Sequence, residues 1–175
     1  MTDGFEQAKA QRNALERLIE RIPGFRGFQD RELRREVDKM QREAMATEFG
    51  RLNALLQGLA RSYTDAGKIG WLDRFGRLDR RLDGLSQSIR FSDYGATGFF
   101  DPVKVDEQAL ERLYAFDLEL LDELQAFETK IRALPKPGDQ DPTPALDQLL
   151  ADVQAIEDRW AKREYVLSDV VKVSS

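Results

Sequence analysis

Residues 106–134, DEQALERLYAFDLELLDELQAFETKIRAL, carry the apolar pattern that decides the fold. Leu110, Leu113, Leu120, Leu124, Phe127, Ile131 and Leu134 recur at spacings of three and four, which gathers them on one stripe of an α-helix and on neither face of a strand. Asp106 stands just ahead of the stripe as an N-cap. Asp117 occupies a stripe position where a leucine belongs. A carboxylate there needs compensation, so Asp117 is read either as paired with an Arg or Tyr of a facing helix or as part of a polar pocket, with Arg112 and Tyr114 close by on the same helix.

The same periodicity extends outward in both directions. Downstream, Leu146, Leu149, Val153, Ile156 and Trp160 form a second stripe that starts at Thr143–Pro144, read as N-cap and first helical residue. Between the two lies a Pro- and Asp-rich connector, about residues 135–142, expected to be mobile. Upstream, Leu72, Phe75, Leu78, Leu82, Leu85 and Ile89 define a helix after a tight turn at Ala66-Gly67-Lys68. A long helix over about residues 30–64 precedes it, with Leu33, Val37, Met40 and Ala44 on one stripe that shifts by one position to Met45, Phe49, Leu52, Leu56, Leu59 and Tyr63. Gly50 and Gly58 mark places where that helix could bend or break. A first helix is expected over about residues 5–21, ended by Pro23 and Gly24, and residues 168–175 read as a frayed tail. The expected architecture is all-α: one domain over residues 1–167, folded as an antiparallel bundle of four to five helices with coiled-coil-like packing.

Two loops stand out from this charged helical background: Ile22-Pro23-Gly24-Phe25-Arg26-Gly27-Phe28 and Tyr94-Gly95-Ala96-Thr97-Gly98-Phe99-Phe100. An up-and-down helix order puts both at one end of the bundle. Phe25, Arg26, Phe28, Tyr94, Phe99 and Phe100 are therefore candidate partner-binding residues, the competing reading being a hydrophobic plug.

Composition excludes whole classes of chemistry. The 175 residues contain no cysteine and no histidine, which removes disulfides, thiolate nucleophiles, Cys-ligated zinc, iron–sulfur clusters and every His-based catalytic or metal motif. No catalytic, cofactor-binding or metal-ligating residue is assigned, and no cofactor is expected; the expectation is a non-enzyme. The N-terminus lacks a signal-like basic and apolar pattern, no apolar run approaches a membrane span, and a cytoplasmic location is expected. The net charge of −5 hides a polarity: residues 1–91 hold 18 Lys and Arg against 14 Asp and Glu, a balance of +4, and residues 92–175 hold 9 against 18, a balance of −9. Arg74, Arg77 and Arg81 share a helix face that could follow phosphates, but Asp73, Asp79 and Asp83 interrupt the field. A solvated face, or pairing of this basic face with the acidic helix over residues 106–134, is the expected outcome.

The segments Ile22–Phe28, Phe100-Asp101-Pro102-Val103-Lys104-Val105-Asp106-Glu107 and Leu113-Tyr114-Ala115-Phe116-Asp117 resemble a group of small bacterial helical proteins with no assigned activity. The resemblance implies a shared loop design and carries over no catalytic or cofactor residue. Taken together, the residues predict a helical scaffold or adaptor that binds a protein partner, with self-association included. The alternative is association with nucleic acid or an anionic membrane surface through the basic N-terminal half.

Overall fold

The structure, a computed structural model, describes residues 34–92 and 107–173. The expected first helix, both aromatic loops and the Asp106 cap lie outside the described residues.

Four α-helices account for nearly all of what is described: α1 (Arg34–Asp65), α2 (Leu72–Phe91), α3 (Glu107–Arg132) and α4 (Thr143–Val173). A short 3-10 turn, Ile69–Trp71, leads into α2. No strand occurs among the described residues. The helices pack against one another around a core that includes Phe49, Leu52, Leu56, Leu78, Leu82, Leu120, Leu124, Phe127, Leu149 and Val153. Each contributes the stripe its apolar spacing defines.

The cross-helix contacts establish which parts meet. Between α1 and α2, Ala46 meets Ser86, Gln57 meets Asp79 and Tyr63 meets Trp71, so numbers fall along α2 as they rise along α1. Between α3 and α4, Asp117 meets Arg163, Glu119 meets Arg159 and Lys130 meets Asp152, again in opposing order. Two pairs of helices, α1 with α2 and α3 with α4, therefore lie side by side. Arg51 beside Glu128 and Tyr63 beside Pro135 tie α1 to α3, while Arg74 beside Asp147 and Arg81 beside Gln154 tie α2 to α4. The connection after α1 and the connection after α3 lie together.

That end is closed by rings. Tyr63 packs edge-on against Trp71, with centroids 5.7 Å apart, and against Phe75 at 5.3 Å. Its hydroxyl donates to the Pro135 carbonyl at 2.6 Å. Burial holds its phenol above the ordinary value of 10.0, and Asp139 and Asp141 push in the same direction. In the first turn, Gly67 takes φ of 69°, a conformation that costs glycine least.

Several expectations are corrected here. α1 runs without interruption through Gly50 and Gly58, which are exposed, so the helix loses propensity there but neither packing nor continuity. Its buried face does not shift by one position: Met40 and Ala44 are half-buried, and Gln41, Arg42, Met45 and Ala46 continue the face of Phe49 and Leu52. The helix keeps its phase and buries polar residues rather than following the apolar ones. Helix α4 continues through Val173, into the stretch read as a tail, because the 3.6-residue ladder extends past its apolar stripe. The connector read as mobile is held by a Lys136–Asp139 turn, by Tyr63 at Pro135 and by buried Pro142.

The start of α4 also differs from the expected cap. The Leu146 amide donates to the Pro142 carbonyl, and the Thr143 amide donates to Asp141 Oδ1 at 3.0 Å, so Asp141 supplies the capping oxygen. The Thr143 hydroxyl is engaged otherwise, accepting from Trp71 Nε1 at 3.0 Å. Hydrogen bonds from Thr143 hold the Asp141 carboxyl below its ordinary range.

Candidate functional site

Buried polarity is concentrated away from the turns. Among the described residues the buried polar side chains are Gln41, Arg42, Ser86, Asp117 and Arg163, and these lie in the half of the bundle opposite the aromatic closure. Arg51 lies beside Glu128; about ten residues back along both helices, roughly 15 Å, Gln41 comes level with Leu118, the neighbour of Asp117. This is the end at which α1 begins and α2 ends.

Asp117 is 1% exposed and Arg163 3%. Arg163 donates from Nε to Oδ1 at 2.8 Å and from Nη2 to Oδ2 at 2.9 Å, a two-point clamp that ties α3 to α4. The same guanidinium lies 5.0 Å from the Trp160 ring centroid, where the ring face favours a cation. One turn outward, Arg159 bridges Glu119 at 2.6 Å and Glu123 at 2.8 Å and stacks over Phe116. The arrangement joins helices; with Asp117 this buried, no solvent-facing edge of the carboxylate is left for a substrate.

Gln41 is fully buried, and neither its amide nitrogen nor its amide oxygen has a partner among the described residues. Arg42 nearby donates to the Ser92 carbonyl at 2.6 Å, tying the start of α1 to the end of α2. Sequence reading missed Gln41, Arg42 and Arg163. The signal for Arg163 was available, since it continues the α4 spacing of Leu149, Val153, Ile156 and Trp160 by one more turn. Phe25, Arg26, Phe28, Tyr94, Phe99 and Phe100 lie outside the described residues.

The arginine series is divided: Arg77 stays on the solvated face, while Arg74 and Arg81 pair across a helix seam. Its partner helix is α4, not the helix over residues 106–134. The reason is the packing order: α2 lies between α1 and α4, so α2 and α3 face each other only across the bundle diagonal. Arg74 donates to Asp147 at 2.7 Å, Arg81 to the Leu150 carbonyl at 3.2 Å and to Gln154 at 2.6 Å, and Arg77 pairs with Asp73 at 3.2 Å. Arg74 and Arg81 therefore bind across the seam, and Arg77 pairs within its own helix.

Phe91 and Tyr165 complete the α2–α4 face. They are 71% and 72% exposed, unlike the core aromatics. Arg74–Asp147 and Arg81–Gln154 share a sequence offset of 73, which carried forward puts Phe91 level along the helix axes with residue 164. Neither was singled out beforehand, since Phe91 ends a helix and Tyr165 follows the last apolar residue of its stripe.

The fold places the chain among all-helical bundle proteins. Comparison with protein-family models, curated proteins and solved structures finds no match to it. Among the described residues there is no cluster of three or more acidic side chains arranged to hold a metal ion. No helix among them is long and apolar enough to cross a membrane.

Proposed function

We propose that the chain is a non-enzymatic helical scaffold that binds a protein partner, a second copy of itself included, through the face shared by α2 and α4. The observation that carries this reading is that Phe91 and Tyr165, two large aromatic side chains, are left exposed on the neighbouring helices α2 and α4. Aromatic rings in that setting are the residue type that anchors protein interfaces. The opposing order of contacts within each pair supports an up-and-down antiparallel bundle, to which residues 5–21 would add a fifth helix. The cell compartment on this reading is the cytoplasm.

Association with nucleic acid is the weaker reading. Arg74 and Arg81 are engaged by α4 and Arg77 by Asp73, so the series offers less positive field than its sequence suggests. Partner capture at high salt, compared between the natural chain and a Phe91→Ala/Tyr165→Ala double variant, tests the proposal. The double variant is expected to keep its melting temperature and lose the partner; capture unchanged by both substitutions would refute it.

A further inference from the structure

The α2–α4 face holds a groove of about 440 Å³, lined by Arg77, Arg80, Arg81, Gly84, Leu150 and Glu157. Its cationic groups are not equivalent. Arg81 is committed to the wall by the Leu150 carbonyl and Gln154. Arg77 is held only by Asp73, whose side chain is 78% exposed, and so exposed a pair is worth a fraction of a kcal/mol and is readily exchanged. Arg80 is exposed and has no carboxylate partner among the described residues. Gly84 has nothing within 4 Å of where a side chain would begin, so the floor stays open, although glycine weakens a helix interior. Leu150 gives the floor an apolar patch.

We infer that this groove takes an acidic segment of a partner protein, its carboxylates meeting Arg77 and Arg80 and an apolar side chain lying over Gly84 and Leu150. The inference rests on the scaffold reading and names the chemistry of the docking segment. Two features select an acidic peptide over a polyanion. Glu157 stands in the groove wall, with exposed Asp147 and Asp158 on the same helix, so a continuous run of phosphates meets repulsion along α4. A peptide spaces its charges and sets apolar residues between them. The direction is given as well: Phe91 lies eleven positions beyond Arg80, about 16 Å along the helix, within reach of about five extended residues.

Fluorescence anisotropy with a short labelled peptide of repeating Glu-Glu-Leu units, at physiological salt, tests the assignment. Saturable binding is expected, weakened about tenfold or more by Arg77→Glu/Arg80→Glu and also by Gly84→Leu, which fills the floor. Arg61→Glu, on the α1 surface, is expected to leave it unchanged. Arg77 and Arg80 are exposed, so circular dichroism and the melting temperature should show these variants folded. Absence of peptide binding to the natural chain, or binding indifferent to the Arg77/Arg80 reversal, would overturn the inference. Tighter binding of a labelled oligothymidylate or of anionic lipid vesicles than of the peptide would overturn it too. Should the groove fail while Phe91- and Tyr165-dependent capture persists, the scaffold reading stands without it; loss of that capture as well removes both.

Discussion

At the turn end, Tyr63, Trp71 and Phe75 close the core with packed rings and two neutral hydrogen bonds, whereas at the opposite end Gln41, Arg42, Asp117 and Arg163 bring amides and charges to the same depth. The two constructions have different energetics. Ring burial stabilises in proportion to area, and each polar tip at the turn end has its acceptor. A buried ion pair returns in attraction about what it loses in hydration, and an unpaired buried amide is a net cost. The turn end therefore anchors the fold. The polar end fixes which helices meet and contributes less to holding them, as suits the end that carries Phe91 and Tyr165.

The largest expected effect is at the anchor. Tyr63→Ala removes a fully buried ring from the aromatic cluster and should cost about 3 to 5 kcal/mol by chemical denaturation. A loss below about 1 kcal/mol would mean the turn end is not the anchor.

At the polar end the outcome depends on how the pair is broken. Asp117→Ala leaves the Arg163 guanidinium buried without its carboxylate and should cost about 3 kcal/mol or more. Replacing both residues, Asp117→Leu with Arg163→Met, should leave stability within about 1 kcal/mol of the natural chain or raise it. A double variant as unstable as Asp117→Ala would show that the pair itself supplies stability, and the contrast between the ends would dissolve.

Gln41 gives a change of opposite sign. Gln41→Leu exchanges an unpartnered buried amide for a side chain of similar length and should raise stability by about 1 to 2 kcal/mol. Destabilisation would show that the amide has a role in the fold.

The smallest effect lies midway between the ends, where Glu128 accepts from Arg51 Nη1 at 2.9 Å and from Arg132 at 2.8 Å. Arg51 foremost, then Arg132, holds its carboxyl down to about 2, against an ordinary 4.5. The folded chain thus binds this proton less readily than the unfolded one. The contribution is complete above pH 4.5 and is lost as pH falls towards 2. Arg51 is 44% exposed, so screening keeps the contribution below about 1 kcal/mol. Acid unfolding of Glu128→Gln should lack this component; an unchanged pH profile would remove Glu128 from the account.

Apolar spacing made the four described helices legible because Leu78, Leu82, Leu120, Leu124, Leu149 and Val153 recur at helical intervals without competing signals. The turn after α1 was readable from Gly67, whose positive φ few other residues accept. The polar end was mostly not legible. A search for apolar stripes passes over Gln41, Arg42 and Arg163 because they are polar, although helix phase buries them. Asp117 stood out because its stripe neighbours are leucines, yet its partner lies 46 residues away and only the fold brings them together. The pairing of the arginine series with α4 was misread for the same reason: which helices are neighbours is a property of packing order, which local spacing does not encode. Thr143 was read as a cap from its residue type, but Trp71 takes its hydroxyl and leaves the amide to Asp141.

Native-state hydrogen exchange across the whole chain tests the central contrast most directly, because it reads the opening free energy of each end in one experiment. Amides around Tyr63, Phe75, Ile131 and Leu149 should exchange only through global unfolding, with the highest protection in the molecule. Amides around Met45, Ile89, Asp117 and Trp160 should open at a lower free energy, in a smaller unit. Equal protection at both ends, or higher protection around Asp117 than around Tyr63, would contradict the division between an anchoring end and a polar end suited to binding.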